Sequence, residues 1–389
     1  MLTRIVIEGF KSFRKVDLRL GGMNLLIGAN GGGKSNFLDA LRVLQGIGNG
    51  YSVGEILDGK PKSATNETWD GIRGGSAKAC FEGDNEDETF QISVSGVADD
   101  HPWTYGVRIS PRSSQVTREE LRLAEKTLYT ARRAPNAPVL LVESEWDERL
   151  NLEQSRPALV EVAGRFQFDE PVLTLVTHQL ANMQRIDPAP SILRDYSSAF
   201  LPERIGERGE NFAGLVEMFD VDTRNAYVDW LRELRPQEVD TVIAVRGALD
   251  EPMFAVVERG RKFPAPVLSD GTLRFAAIAA AFYQPDMPSV MTIEEIEKGL
   301  HPSRVRVMVE MLRANGGGDH TQIMATTHSP TVVAWLEPDE CETTFVFARN
   351  PDTGESTITR LVDIEGFERI VADQELADLF AEGWMESAL

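Results

Sequence analysis

Residues 23–36 read MNLLIGANGGGKSN, and this stretch decides the fold. Met23–Ile27 is a short apolar run of the kind that forms a buried strand. Gly28 to Ser35 then match GxxxxGK[ST] at every fixed position. From Lys34 onward, Phe37, Leu38, Leu41 and Leu44 fall on one face of a helix running to about residue 44. A strand, a glycine-rich turn and a helix in that order make a cradle for phosphate. Glycines let the backbone close around an anion with successive N–H groups pointing inward, and the helix N-terminus adds its dipole. Lys34 is placed to reach β- and γ-phosphates, and Ser35 to hold Mg²⁺. The competing reading is a glycine-rich turn with an incidental lysine. The strand and helix on either side weigh against it.

Upstream, Ile5, Ile7 and Phe10, then Val16, Leu18 and Leu20, alternate with polar residues and predict two strands. Residues 77–109 alternate again as antiparallel strands. From about Val116 the apolar residues recur at intervals of three and four. REELRLAEKTLYTARR, PALVEVAGRF, VLTLVTHQLANMQR, NFAGLVEMF and AYVDWLREL therefore predict a helical insert over 116–240, interrupted at Pro171, Pro188, Pro190 and Pro236. Strands return at TVIAV and MFAVVER. The expected fold class is α/β, with an N-terminal lobe 1–115, the insert, and a C-terminal lobe 241–389.

Three motifs stand in the last lobe. Ser289–Glu295 (SVMTIEE) is a short apolar strand ending in two carboxylates. A magnesium nucleotide needs one acid to anchor the hydrated metal and another to orient the attacking water. Glu294 takes the first role and Glu295 the second, with Glu297 a weaker candidate for either. Leu268–Thr272 (LSDGT) opens a small-residue helix, with Ser269 as N-cap and Gly271 permitting close approach of a ligand. His328 follows the strand QIMAT and precedes Ser329-Pro330. Taken singly, LSDGT reads as a capped helix and His328 as a hydrogen-bonding residue at a strand end.

In order along the chain, GxNGxGKSN, LSDGT, IEE, GLHP and TTHSP resemble ABC-type ATPases of the SMC/RecF/OLD group, OLD meaning overcoming-lysogenisation-defect. The likeness is nearest to stand-alone bacterial AAA family ATPases of anti-phage defence systems. The opening IEGFKSF, the segment RIGERGENFAGLVEMF and the later TTFVFARN resemble that group too. The resemblance implies an ABC-ATPase head, a mixed sheet core with an antiparallel β lobe, working with ATP and Mg²⁺ as a homodimer. Asn30, Gly31, Gly32, Gly33, Lys34, Ser35 and Asn36 would hold the nucleotide, with Lys11 near it. Ser269 and Gly271 of one copy would contact the γ-phosphate held by the partner's Lys34. His328 would sense that phosphate, and His301, in GLHP, would lie at the dimer interface. Catalysis falls to Glu295, His328 and Lys34, and the metal to Ser35 and Glu294. This sequence departs from the group's pattern at Glu294, where aspartate is usual, and in LSDGT, which differs from the LSGGQ of transporters. The glutamine that senses Mg²⁺ is unassigned, with Gln179 and Gln184 as candidates.

Composition bounds the function. The chain has 389 residues, 42% of them apolar and 26% charged, which suits a folded globular protein. Its longest apolar run, Phe275 to Tyr283, is too short to span a bilayer, and MLTRIVIEGFKSF lacks the layout of a secretory signal. Cys80 and Cys341 have no CxxC partner, so a reducing, cytoplasmic setting is expected. The net charge of −21 disfavours bulk attraction to DNA. A local basic patch escapes this argument, because charges beyond roughly 8 Å are screened at physiological salt.

Three functions compete. The resemblance favours a sensor or scaffold ATPase of a defence complex, acting with a separate effector such as a Toprim- or HNH-type nuclease. The alternative is a RecF-like repair ATPase that clamps DNA directly. A transport ATPase fits worst, since Ser269 follows Ser35 by 234 residues and no membrane segment is apparent. Asp220-Val-Asp222 is a DxD, but it lies between helical segments rather than on a strand. The stretch after His328 is too short for an added catalytic domain, so no nuclease activity of the chain's own is expected.

Overall fold

The computed structural model describes residues 1–60, 69–82, 88–98, 100–134, 139–146, 149–197, 202–235, 239–318, 321–365 and 367. Along the chain come strands β1 (Leu2–Phe10), β2 (Phe13–Arg19) and β3 (Met23–Ile27), then helices α1 (Lys34–Gly48) and α2 (Val53–Asp58). Six strands follow: β4 (Phe90–Ala98), β5 (His101–Ser110), β6 (Gln115–Leu123), β7 (Lys126–Arg133), β8 (Val139–Ser144) and β9 (Arg149–Glu153). Helices α3 (Leu159–Phe166) and α4 (Pro171–Ala181) lead to β10 (Met183–Ile186), α5 (Pro190–Leu193), α6 (Phe212–Met218) and α7 (Val221–Leu234). Then come β11 (Val239–Arg246), β12 (Pro252–Glu258), β13 (Arg261–Pro264), α8 (Asp270–Ala281), β14 (Val290–Ile293), α9 (Pro302–Asn315), β15 (Gln322–Thr326) and α10 (Pro330–Val333). The last strands are β16 (Thr344–Arg349) and β17 (Ser356–Arg360).

It divides into two compact units, one of Met1–Met183 with Glu342–Glu365, the other built on Gln184–Cys341. In the first unit an antiparallel sheet runs β2-β1-β4-β5-β6-β7-β8-β9. Its strands alternate as a half-buried sheet should, with Trp103, Tyr105, Val107 and Ile109 of β5 buried and Thr104 and Arg108 exposed. The same unit holds β3, paired in parallel with β16 through Leu25↔Thr344, Leu26↔Phe345 and Ile27↔Val346, and β17 antiparallel beyond it. Asn24 is buried at no cost in hydrogen bonds, because its amide exchanges two with the main chain of Gly21 at 2.8 and 2.7 Å. In α1, Gly48 lies where a Cβ would meet the main-chain nitrogen of Ala181 at 2.2 Å, so only glycine lets α1 and α4 approach this closely.

The second unit has β14 and β15 in parallel, fully buried, as apolar strands of this length require. A second, antiparallel sheet runs β11-β12-β13. Helix α8 is buried along its whole length after Asp270, and the Tyr227 hydroxyl of α7 donates to its Ala276 carbonyl at 3.0 Å.

The expected helix over REELRLAEKTLYTARR is not there. Those residues form β6 and β7, and the antiparallel sheet continues to Glu153, so helices begin only at Leu159. The misleading residue is Glu119, an acid at an inward position. It is fully buried and accepts four hydrogen bonds: from the Tyr105 hydroxyl at 3.1 Å, the Tyr129 hydroxyl at 2.7 Å, and the main-chain nitrogens of Ala158 and Leu159 at 2.6 and 2.8 Å. Burial pushes its carboxyl above the ordinary range against the pull of those donors. Glu119 thereby caps α3, whose own N-cap residue, Ala158, offers no side chain for the purpose.

Replacing Glu119 with alanine strips four buried donors of their acceptor together, and is expected to cost about 3–5 kcal/mol in urea unfolding. Glu119→Gln, which keeps the shape and one acceptor oxygen, is expected to cost less. Equal losses would show that the carboxylate is a volume filler.

Candidate nucleotide site

The first unit contains the phosphate cradle. The loop from Gly28 to Gly33 joins β3 to α1, with Ala29, Asn30 and Gly31 exposed and Gly28, Gly32 and Gly33 buried. The buried glycines are dictated by neighbours. A Cβ on Gly28 would sit 2.3 Å from the Phe347 carbonyl oxygen of β16, and one on Gly32 2.8 Å from the same atom. Gly28, Gly31 and Gly33 also take positive φ of 133°, 84° and 113°. On the outer side a Cβ at Gly31 would meet nothing within 4 Å.

Helix α1 starts with no capping side chain and no acid in its first turn, so no side chain of its own competes there with an anion. Lys34 is buried and folds onto the loop's own carbonyls, Gly28 at 2.6 Å and Ala29 at 2.9 Å. Ser35 is half-buried in the first turn. Asn36 donates to the Ser12 hydroxyl at 2.7 Å, which ties the β1–β2 turn to α1. Lys11, in that same turn, is ion-paired with Asp39, one helical turn past Ser35, and donates to the Arg73 carbonyl at 2.7 Å. It serves the packing of the turn on α1.

The second unit gathers the acids and His328. Glu294 and Glu295 follow β14, and Glu295 takes a positive φ of 49°. Its N–H donates to the Thr326 hydroxyl of β15 at 2.9 Å. Its carboxylate meets Lys298 at 2.8 Å and is held below the ordinary carboxylate range, first by that hydrogen bond, with a further contribution from the nearby His328. It therefore stays ionised at neutral pH, as a group that polarises water must. Glu297 accepts from the His328 N–H at 3.0 Å, while its second oxygen is buried with no partner. The structure thus brings Glu295, Glu297 and His328 together. Glu294 points to an arginine, Arg185 of β10, at 2.7 Å.

In the same unit Ser269 caps α8, its hydroxyl accepting from the Thr272 N–H at 3.2 Å, and His301 caps α9 through Ser303. The starts of α8 and α9 line a cavity of about 290 Å³ together with Arg235 and Arg304. Gly271 has a packing reason beside the expected one: a Cβ there would lie 2.0 Å from the Gly299 carbonyl oxygen. Asp220 caps α7 by accepting from Thr223, and so belongs to a helix terminus. The two glutamines weighed as magnesium sensors are occupied elsewhere. Gln179 has its amide against the main-chain nitrogens of Met1 and Leu2, donors that call for its oxygen, and Gln184 donates to the Ile205 carbonyl and accepts from Gln284.

A family model described as "AAA domain, putative AbiEii toxin, Type IV TA system" matches residues 23–334, from the strand before the cradle to just past His328. The chain belongs to this AAA-domain family. The AAA-domain chain is also 21% identical over 362 residues to an ATP/GTP phosphatase of Helicobacter pylori (strain ATCC 700392 / 26695), covering 87% of this chain and 88% of that relative. In fold it is similar to an Smc head domain with an extended coiled coil, derived from Pyrococcus furiosus and bound to the C-terminal domain of ScpA. That match has a TM-score of 0.54 and 12% identity, over 96% of this chain and 98% of the other. A SmcHead bound to the C-winged helix domain of ScpA gives a TM-score of 0.52 and 13% identity, over 92% and 97%. The expected mixed α/β head of the SMC/RecF-like ATPase group is therefore the fold of this AAA-domain chain. Among its described residues no helix is long and apolar enough to cross a membrane.

Arg185 and Arg274 escaped the sequence reading. Arg274 is buried inside α8, where it donates to Asp187 at 3.0 Å, to the Pro188 carbonyl at 2.6 Å and to the Glu294 carbonyl at 3.2 Å. The signal was available in LRFAAIAAAFY, because an arginine inside an otherwise apolar helix must bring acceptors with it.

Gly271→Ala is expected to lower stability by about 1–3 kcal/mol in denaturant unfolding, since backbone on both sides prevents relaxation. Gly164→Ala in α3, where a Cβ meets nothing within 4 Å, is the control and is expected to show no loss. If the two variants behave alike, the close approach of α8 to Gly299 does not constrain the fold.

Proposed function

We propose that the chain binds and hydrolyses ATP with magnesium, as a dimer in which Ser269 of one copy completes the nucleotide site of the other. The observation that carries this reading is the cradle. Glycines buried against β16, an uncapped 15-residue helix and a lysine folded onto its own loop carbonyls form a donor-rich, anion-shaped loop. In the free protein those carbonyls hold the Lys34 ammonium. A triphosphate is a better partner for it, and the lysine needs only to swing outward to meet the β- and γ-phosphates.

The donor set also fits magnesium brought in by the nucleotide. Among the described residues no three His, Cys, Asp or Glu side chains cluster to hold a metal by themselves. Magnesium, however, takes one or two protein oxygens together with substrate phosphates. The Ser35 hydroxyl would hold it directly and the Glu294 carboxylate through water. Bound there, the metal would neutralise charge developing on the phosphates. Glu295, ionised and held by Lys298, would orient and polarise the attacking water. His328, fixed by the Glu297 hydrogen bond to its N–H, would contact the γ-phosphate. Arg304 and His301 line the cavity beside Ser269, where a phosphate presented by a second copy would be received, while Arg235 at its edge is paired with Glu258.

The family description and the resemblance to defence ATPases support a role as sensor or scaffold ATPase, with a separate nuclease as effector. One observation favours a second reading, direct contact with DNA. Arg108, Arg118 and Arg122 line a groove of about 300 Å³ on the polar face of the eight-stranded sheet, with Glu120 between them paired to Arg118 and Arg122, on a chain of net charge −21. That reading requires gel-shift binding of a DNA duplex that weakens steeply with salt and is lost on replacing the three arginines with glutamate. Binding that survives the replacement would place DNA elsewhere or nowhere.

Lys34→Ala is expected to abolish ATP binding measured by calorimetry, and turnover equal to the parent's would remove its role. Glu295→Gln is expected to retain ATP binding, to lose hydrolysis by roughly a hundred-fold or more, and to accumulate as a dimer in light scattering. Hydrolysis at the parental rate would move the water-orienting role to Glu294 or Glu297.

A further inference from the structure

Arg185 stands between two carboxylates. One guanidinium nitrogen meets Glu294 at 2.7 Å and another meets Glu207 at 3.1 Å, while Nε is buried with no partner. Side-chain exposure is 27% for Arg185 and 17% for Glu294, so the pair is partly withdrawn from water. The backbone of Glu294 is fixed independently, since its carbonyl accepts from Arg274 of α8. Arg274 also holds Asp187 and Pro188, two and three residues beyond Arg185. The acid is thus clamped by its main chain to α8 and by its side chain to β10.

A carboxylate oxygen occupied by a guanidinium is not equally available to a hydrated dication, because the two cations repel and compete for the same lone pairs. We propose that Arg185 is a positioning residue that competes with magnesium for Glu294. This rests on the reading of Glu294 as the metal-side acid. Without magnesium, Arg185 neutralises Glu294 and fixes its orientation. With magnesium, Arg185 withdraws toward Glu207, which it already touches, so its charge is never left buried and unpaired. By the same balance, Glu207 sets how readily the arginine lets go.

The two neighbours therefore push magnesium affinity in opposite directions. Removing Arg185 takes this competitor away from Glu294. Removing the charge of Glu207 leaves Arg185 with Glu294 as its remaining partner of this pair and strengthens the hold. A side chain that only glued β10 in place would lower the melting temperature and leave magnesium dependence unmoved.

The test is a magnesium titration of the binding of a fluorescent ATP analogue to the full chain, with melting temperature followed in parallel. Arg185→Ala is expected to lower the half-maximal magnesium concentration roughly five-fold, Glu207→Gln to raise it by a similar factor, and Arg185→Lys to stay near the parent. Unchanged or same-direction shifts in Arg185→Ala and Glu207→Gln overturn the proposal. If Arg185→Ala fails to fold, Glu207→Gln decides alone. Glu294→Gln separates the layers. If it leaves the magnesium dependence untouched, the underlying metal reading has failed and the proposal falls with it. If it shifts that dependence while the two neighbours do not, only the competition is wrong.

Discussion

The nucleotide loop has its shape because β3 pairs in parallel with β16. That pairing sets the Phe347 carbonyl against the turn after β3, and two glycines, Gly28 and Gly32, are the residues that fit there. With the inner side of the loop fixed by backbone, its remaining N–H groups have one direction left to face. The position of Lys34 follows, as does the start of α1, whose Phe37 ring meets Phe347 edge-on at 6.0 Å. A loop built this way is ready for its ligand before the ligand arrives, and little ordering entropy is left to offset on binding.

The second unit uses charge where the first uses close packing. Its acids follow a fully buried strand and are held by Arg185, Arg274 and Lys298, each partner selecting one carboxylate or one carbonyl. The strained backbone at Glu295 is tolerated because its N–H is claimed by Thr326 of the adjacent strand. Glu297 then fixes the main chain at His328. Three acids within four residues thus do separate jobs, and neighbours rather than spacing assign them.

The strand–turn–helix of the cradle, the buried strands β14 and β15, and the helices α4, α7 and α8 were legible because their apolar period is unbroken. The β6–β7 hairpin was not. Glu119 occupies a core position, and Glu, Leu, Arg, Ala and Lys are good helix formers, so local propensity and pattern agreed on the wrong element. Only tertiary partners, two tyrosines and the start of α3, make that acid a core residue. The site shows the same divide. Motif spacing nominates Lys34, Glu295 and Ser269, but it cannot say that Lys11 is spent on Asp39 or that Gly271 yields its space to Gly299. Those facts are three-dimensional neighbours with no trace in local sequence.

The β3–β16 pairing also orders events on the ribosome. The two strands lie more than three hundred residues apart in the chain, so at typical synthesis rates β3 leaves the exit tunnel about half a minute before its mate. Through that interval its edge presents unpaired main-chain groups, the kind of surface that invites aggregation. The stretch Gln184–Cys341, on which the second unit is built, is made in the gap. A chain cut short before residue 344 would therefore lack the strand that shapes its phosphate loop.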